Sequence, residues 1–205
     1  MSEIVKEGYL GIVNTGGDKK FTGVLVNRTL EEAVQDDIIA DAKKSIEEYG
    51  YNGPLTNRQK MRPSKNAYYL GIAKAVCKRS TCLKRRQGVV VVNNDEIIAT
   101  GYNGNPRGVM NCCDVGRCVR YNKPHNTGDY SDCHSVHAEQ NAMLSASRKD
   151  MIGGTMYMYA EDEVDGIINE VPATPCPICA RMILNAGIKT IYNIHGVVNI
   201  DYSKI

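Results

Sequence analysis

A histidine two residues before a glutamate, followed farther along the chain by two cysteines three residues apart, constrains the fold more than any other feature. These residues are His137, Glu139, Cys176 and Cys179. Imidazole nitrogen and cysteine sulfur are ligands that zinc prefers, and a catalytic zinc has three protein ligands and keeps its fourth position for water. We therefore predict that His137, Cys176 and Cys179 bind one zinc ion, so the fold must bring them together. A closed site with a fourth protein ligand is the alternative, but it would leave Glu139 without a role.

Composition bounds the class of protein. The chain has 205 residues, which is enough for one sizeable core and a small appendage, and 42% of them are hydrophobic. A net charge of +2 disfavours a nucleic-acid partner, and no apolar run is long enough to span a membrane. The first residues contain an early acid and no hydrophobic signal core. We expect a cytoplasmic protein with no nucleic-acid partner and no membrane partner.

The eight cysteines are a high count for a chain of this length. Disulfides are one explanation, but they form in oxidising compartments, to which a signal peptide would direct the chain. Their spacing favours metal binding instead, because several of them cluster. We therefore predict metal ligands rather than disulfides.

Residues 1–63 are predicted as an N-terminal extension made of a hairpin and a helix. Two short β-rich runs, 9–13 and 21–26, flank a polar, glycine-rich turn. A capping box of Thr29 and Glu32 then begins a helix that ends near Gly50. A linker rich in glycine and proline follows. This extension carries no chemistry of its own, and either a packing or oligomer element or a regulatory module would fit it.

Residues 64–205 are predicted as a second domain in which helices and strands alternate. The predicted elements are a helix from Ser64 to about Lys78, strands at 89–92 and 96–102, a helix at 136–148, a strand at 155–160, a helix from Pro175 to near Gly187, and strands at 190–194 and 196–200. The apolar run 89–92 should be buried on both faces. Alternation of this kind indicates an α/β fold, with helices on the faces of a mixed sheet of about five strands.

Several motifs outside the metal ligands carry a family resemblance. They are R-S-T-C at 79–82, G-Y-N-G-N-P at 101–106, N-C-C-D at 111–114, H-A-E-Q-N-A at 137–142 and P-C-P-I-C at 175–179. Together they resemble deoxycytidylate (dCMP) deaminases, including phage forms, within the cytidine deaminase-like superfamily. H-x-E with P-C-x-x-C is the signature of zinc-dependent nucleobase deaminases. The resemblance covers about residues 64–195, and the segment 101–106 narrows it to the dCMP branch.

The resemblance implies a three-layer α/β/α fold and the hydrolysis of dCMP to dUMP and ammonia, which feeds thymidylate synthesis. It also implies a homo-oligomer such as a hexamer, activated by dCTP and inhibited by dTTP, with Mg²⁺ accompanying a triphosphate effector. Glu139 would carry a proton from water to a ring nitrogen and then to the leaving amine, so no second acid is required.

The resemblance also assigns residues to the nucleotide. Ala138 and Asn103 would contact the substrate, Asn103 at the sugar, while Gly104, Asn105 and Arg107 would lie at the effector site. Arg79 and Arg107 are candidates for the 5′-phosphate, because phosphate needs cations or free N–H groups. The alternative for either arginine is a solvated surface position.

A second set of cysteines remains after the first site is assigned. Some relatives have a second, structural zinc, and Cys82, Cys113, Cys118 and Cys133 are its predicted ligands here. Neighbouring Cys112, His125 and His134 leave the choice of ligands open. The alternative is a set of reduced cysteines partly buried in the core.

The chain departs from the family at an acidic insert, 161–173. We expect a loop beside the pocket, which either tunes the choice between mono- and triphosphate or serves as a subunit contact or solvated loop. The competing functions are therefore deamination of another base or nucleotide, such as dCTP, free cytosine or a tRNA adenosine, or a catalytically silent nucleotide-sensing subunit.

Overall fold

A computed structural model describes residues 57–123 and 131–200, together with the single residue Lys44. The predicted N-terminal hairpin and the helix that follows it therefore lie outside the described residues, apart from Lys44, and so does His125. Part of the predicted linker is described and is helical from Asn57 to Met61.

The described residues form six helices and six strands. The helices are α1 (Asn57–Met61), α2 (Lys65–Cys77), α3 (Cys112–Val115), α4 (Ala138–Leu144), α5 (Arg148–Met151) and α6 (Pro177–Ala186). The strands are β1 (Arg85–Asn93), β2 (Glu96–Tyr102), β3 (Thr155–Val164), β4 (Ile167–Val171), β5 (Thr190–Asn193) and β6 (Gly196–Val197). The predicted helix 136–148 is shorter than expected, because Ser145 caps α4 and the short α5 follows separately.

The strands form one mixed sheet in the order β2-β1-β3-β5-β6, and β4 pairs with β3. Strand β1 is antiparallel to β2 and to β3, whereas β3 and β5 are parallel. The sheet therefore has six strands rather than the predicted number of about five. The additional strand is β4, which lies in the segment predicted as an acidic insert.

Strand β1 divides the apolar core into two clusters, one on each face of the sheet. Val89 and Val91 pack in the cluster that contains Ala138 of α4 and Ile183 of α6. Val90 and Val92 pack on the opposite face, in the cluster that contains Leu70 of α2. Successive side chains of a strand point to opposite faces. The predicted burial of 89–92 on both faces and the three-layer α/β/α arrangement are thus confirmed.

Two glycines let helices approach the sheet closely. A Cβ atom at Gly101 of β2 would lie 2.3 Å from the carbonyl oxygen of Ala138 in α4. A Cβ atom at Gly88 of β1 would lie 2.2 Å from the carbonyl oxygen of Ala73 in α2. Only a residue without a side chain fits either position. Gly101 therefore determines how closely the helix that follows His137 packs against the sheet.

The acidic insert is a hairpin rather than a loop. Asp165 and Gly166 both have positive φ angles, 52° and 77°, at the turn between β3 and β4. An Asp-Gly pair at a two-residue turn is typical of hairpins, because both positions require a left-handed backbone. The expectation of a loop is corrected accordingly, and a subunit contact at this hairpin stays a prediction.

The acids of this hairpin are paired with basic residues of β1. Arg85 donates two hydrogen bonds of 2.6 Å to the carboxylate of Asp162, the residue opposite it in the ladder. Arg86 lies 3.3 Å from the carboxylate of Glu161, which is likewise its ladder partner. Because opposite charges face each other across the strands, these two acids are neutralised by β1 and do not form a free acidic wall.

Within the described residues, no helix is both long and apolar enough to cross a membrane.

Candidate active site

The predicted zinc ligands lie at the starts of two helices on the same face of the sheet. His137 is the residue that caps the N-terminus of α4, and its backbone N–H donates to Gln140 Oε1 at 3.0 Å. Cys176 caps α6, and its sulfur accepts a hydrogen bond of 3.4 Å from the backbone N–H of Cys179. Pro177 occupies the first turn of α6, where its missing N–H costs nothing. Helix N-termini carry partial positive charge, which favours thiolate over thiol.

The three side chains converge. The Nδ1 atom of His137 lies 3.7 Å from the sulfur of Cys176 and 3.5 Å from the sulfur of Cys179. All three donor atoms lie within 4.8 Å of one another. Among residues 57–123 and 131–200, this is the one group of three or more His, Cys, Asp or Glu side chains gathered so closely. One imidazole and two sulfurs in this arrangement fit a zinc ion and leave a position open.

Glu139 is buried beside this group, with 1% of its surface exposed. Burial raises the pKa of its carboxyl group to about 7. Its Oε2 atom has no hydrogen-bond partner among the described residues. A buried polar atom without a partner is costly, so this oxygen is suited to a ligand or a water that occupies the pocket. Its position and raised pKa are those of a group that exchanges a proton near neutral pH.

The two cysteines differ in their affinity for a proton. The hydrogen bond from Cys179 lowers the pKa of Cys176 to about 4. The same hydrogen bond, together with burial, raises the pKa of Cys179. Of the two thiols, Cys179 therefore holds its proton more strongly. A zinc ion displaces such a proton, because its ligands bind as thiolates.

A single pocket contains the ligand group and reaches several other elements. It is lined by Cys82, Lys84, Arg85, Gln87, Asn103, Cys118, Arg120, Cys133, Ser135, His137, Glu139, Thr174 and Cys176. Cys179, the third member of the ligand group, is fully buried behind it.

Asn103, predicted to contact a sugar, lines this pocket but is largely engaged with the protein. Its side-chain oxygen accepts hydrogen bonds from the hydroxyl of Ser80 at 2.7 Å and the N–H of Gln87 at 2.8 Å. Its amide nitrogen donates to the carbonyl oxygen of Arg85 at 2.8 Å. An amide nitrogen carries two hydrogens, so one N–H of Asn103 is left for a ligand.

The cations of the pocket are not the arginines predicted for the phosphate. Arg79 and Arg107 are exposed, and neither lines the pocket. Lys84, Arg85 and Arg120 line it instead. The basic run 84–86, which leads directly into the strand nearest the site, was the available signal in the sequence.

The remaining predicted contacts lie around the same region. Ala138 is fully buried in the first turn of α4. Gly104 bridges to Val136, immediately before His137, through hydrogen bonds of 3.2 and 2.8 Å. The side chain of Asn105 donates to the carbonyl oxygen of Met110 at 2.6 Å and so stabilises its own loop.

The second cysteine set is only partly assembled. Cys82, Cys118 and Cys133 line the pocket, and all are free thiols. Burial, and then the like charges of Cys82, Cys118 and Cys133, raise the pKa of Cys112, whose thiol donates to Asn105 Oδ1 at 3.6 Å. Cys113 is exposed, and its thiol donates to Asp114 at 3.5 Å. Cys112 is therefore the less exposed of the two adjacent cysteines.

The family model for the cytidine and deoxycytidylate deaminase zinc-binding region matches residues 63–194. The deoxycytidylate deaminase of Schizosaccharomyces pombe is 38% identical over 148 residues, which are 72% of this chain and 42% of that protein. The deoxycytidylate deaminase of Mycobacterium phage D29 is 37% identical over 134 residues, 63% of this chain and 94% of that protein. The chain thus spans less than half of the fission yeast relative and nearly all of the phage one.

Among solved structures, the dCMP deaminase of cyanophage S-TIM5 in complex with dCMP and dUMP matches with a TM-score of 0.47 and 28% identity. The match covers 65% of this chain and 82% of that one.

Proposed function

The chain belongs to the cytidine and deoxycytidylate deaminase family, and on that basis we propose that it hydrolyses dCMP to dUMP and ammonia. Such an activity would supply dUMP for thymidylate synthesis. The observation that carries the proposal is the convergence of His137, Cys176 and Cys179 beside the buried Glu139 in one pocket. The relatives named deoxycytidylate deaminase support the choice of substrate.

In this proposal His137, Cys176 and Cys179 hold a zinc ion. Zinc bound by three such ligands supplies a water that is acidic enough to lose its proton near neutral pH. Glu139 accepts that proton and delivers it to the ring nitrogen next to the carbon under attack. Once hydroxide has added to that carbon, Glu139 would take the second proton from the new hydroxyl group and give it to the amine. The C–N bond then breaks, ammonia leaves and the carbonyl forms, so the same carboxylate serves both transfers. Burial of Glu139 keeps it dry and at a pKa suited to both roles.

The 5′-phosphate is assigned to the cationic side of the pocket. Lys84, Arg85 and Arg120 replace Arg79 in this role, because they line the pocket and Arg79 does not. Arg85 holds Asp162 through Nε and Nη2, which leaves its Nη1 for a ligand. The sugar is assigned to Asn103 and the base to the region of Ala138 and Glu139. The prediction that Arg107, Gly104 and Asn105 form an effector site is kept in the proposal.

A second, structural zinc is also part of the proposal, with Cys82, Cys112, Cys118 and Cys133 as its ligands. Cys112 replaces the predicted Cys113 because it is partly buried and the charges of the other three thiols act on it, whereas Cys113 is exposed. A metal here would tie the loop between β2 and α4 to the start of β1.

The proposal also includes the regulation and assembly that the family resemblance implies. These are activation by dCTP with Mg²⁺, inhibition by dTTP, a homo-oligomer such as a hexamer, and a cytoplasmic location. The division into an extension at residues 1–63 and a deaminase domain at 64–205 also stays a proposal. The family match that begins at residue 63 supports it.

The test is ammonia release from purified protein over a panel of cytidine, CMP, dCMP and dCTP, with and without dCTP and dTTP as effectors. We expect dCMP to be preferred. Glu139→Gln keeps the volume of the side chain but not its basicity, and should lower kcat by at least about a thousandfold while zinc content stays unchanged. Activity that survives in this variant would refute the proton-transfer role of Glu139. If the wild-type protein deaminates dCTP and not dCMP, then dCTP takes the place of dCMP as the proposed substrate.

A further inference from the structure

Two pocket-lining side chains carry a buried polar atom that has no hydrogen-bond partner among the described residues. One is Oε2 of Glu139, which the proposed reaction uses. The other is Nε2 of Gln87. An amide nitrogen of this kind has two N–H groups to donate and is costly to bury unpaired. A partner that enters the pocket would remove that cost.

The alternation of side chains along β1 directs Gln87 toward the site. It precedes Val89 by two residues on β1, and Val89 packs in the cluster that contains Ala138 of α4. Side chains two apart on a strand share one face, so Gln87 faces the side of the sheet that carries His137 and Glu139. Its backbone is fixed in this position, because its N–H donates to Asn103 Oδ1 at 2.8 Å and its carbonyl accepts from the N–H of Asn103 at 3.2 Å.

The comparison with Asn103 shows why Gln87 is the better donor. The side chain of Asn103 already makes three hydrogen bonds within the protein. Gln87 bonds to Asn103 through its backbone alone, and its side-chain nitrogen has no partner among the described residues. The amide of Asn103, which follows β2, therefore builds the pocket wall, while the amide of Gln87 on β1 has an N–H donor group without a partner among the described residues.

We propose that Gln87 is a specificity-determining residue, which donates a hydrogen bond through Nε2 to an acceptor oxygen of the bound nucleotide. This inference rests on the proposed deamination of a cytosine nucleotide. Two oxygens have the required chemistry, the 2-carbonyl of the base and the 3′ oxygen of the sugar. Neither changes in the reaction, so the bond is equally strong before and at the transition state. Its loss should raise KM and leave kcat unchanged.

The test is Gln87→Met, which keeps the length of the side chain and removes its donors. We expect KM for dCMP to rise about tenfold, with kcat within about twofold of the wild type and zinc content unchanged. The dissociation constant of dUMP, measured by calorimetry, should rise by a similar factor. Asn169→Ala on the exposed strand β4 is the control and should change neither value. Gln87→Ser provides a second variant if the methionine disturbs folding.

A substrate without the 3′ hydroxyl, 2′,3′-dideoxycytidine monophosphate, distinguishes the two oxygens. If Gln87 binds the sugar, removing that hydroxyl raises KM in the wild type and has little effect in Gln87→Met. If it binds the base, the effect is the same in both proteins.

Failure of this inference is separable from failure of the proposed function. Wild-type protein that releases no ammonia from dCMP overturns the proposed function. Wild-type turnover combined with an unchanged KM in Gln87→Met, or with a loss confined to kcat, overturns the role of Gln87 alone.

Discussion

The chain contains two groups of cysteines, and they differ in what holds them in place. Cys176 and Cys179 lie at the start of α6, a helix that packs against the sheet through Ile183, and they meet His137 at the start of α4. The second set, Cys82, Cys112, Cys118 and Cys133, lies on loops and on the four-residue helix α3. Among the described residues only the first group has donor atoms within 4.8 Å.

The difference indicates two ways of building a metal site. Packed helices and strands hold the first group in a binding geometry, so little ordering is needed when zinc binds. Loop residues have few packed contacts, so ordering of the second set would have to come from the metal itself. The first site should therefore depend on the packing of the domain, whereas the second should contribute to the stability of its loop.

The largest expected effect comes from removing a ligand of the first group. Cys179→Ser replaces a soft sulfur with an oxygen that binds zinc poorly, and leaves only two good ligands. We expect loss of one zinc per chain by atomic emission and a fall in ammonia release from dCMP of at least about a thousandfold.

Cys77→Ala is the matched control for this change. Cys77 is a fully buried cysteine on the opposite face of the sheet, in the cluster of α2. Its truncation should cost about 1 kcal/mol of stability while zinc and activity are retained. Retention of both zinc and activity in Cys179→Ser would remove it from the ligand set.

The packing of the first group can be tested without touching a ligand. Gly101→Ala places a Cβ atom 2.3 Å from the carbonyl of Ala138, so α4 must move away from the sheet. Overpacking against a backbone should cost about 3 kcal/mol and lower Tm by about 10 °C. Because α4 follows His137 and contains Glu139, activity well below Tm should fall by at least about tenfold.

Gly88→Ala introduces a comparable clash on the other face, 2.2 Å from the carbonyl of Ala73 in α2. It should lower Tm by a similar amount and reduce activity less than Gly101→Ala does. Equal losses of activity in the two variants would show that general destabilisation, and not the position of α4, sets the effect.

The same contrast explains what could be predicted from the sequence. Ser64 was predicted to begin a helix, and its side chain accepts a hydrogen bond from the N–H of Ala67. The apolar run 89–92 likewise determined a central strand. These predictions are confirmed because capping and burial act over a few residues. The three-layer arrangement is what the family resemblance implies.

The errors occurred where the deciding partner is distant in sequence. The acidic segment is predicted as a loop because the family pattern has only a few residues between the strand before it and the cysteine pair. Its partners Arg85 and Arg86 are more than seventy residues away, although Asp165-Gly166 was a local hairpin signal. The phosphate role of Arg79 rests on its charge and stays a prediction, although Arg79 does not line the pocket. Which cations reach the pocket depends on where the strands and loops end, and local patterns do not contain that information.

The smallest effect concerns two adjacent residues of the second set, and it tests whether that set binds metal. Cys112 is partly buried and its thiol donates to Asn105, whereas Cys113 is exposed and its thiol donates to Asp114. We expect wild-type protein to contain two zinc ions per chain. Cys112→Ser should lose the second and lower Tm by about 5 °C, while Cys113→Ser should change neither. The kcat for dCMP should remain within about threefold of the wild type in both variants, because the first site is held by the sheet and its helices. In Cys112→Ser the KM should rise, because Arg120, assigned to the phosphate, lies on the same loop. If the wild-type protein contains one zinc ion per chain, the second site is removed from the proposal. If Cys113→Ser loses zinc and Cys112→Ser does not, Cys113 and not Cys112 is the ligand.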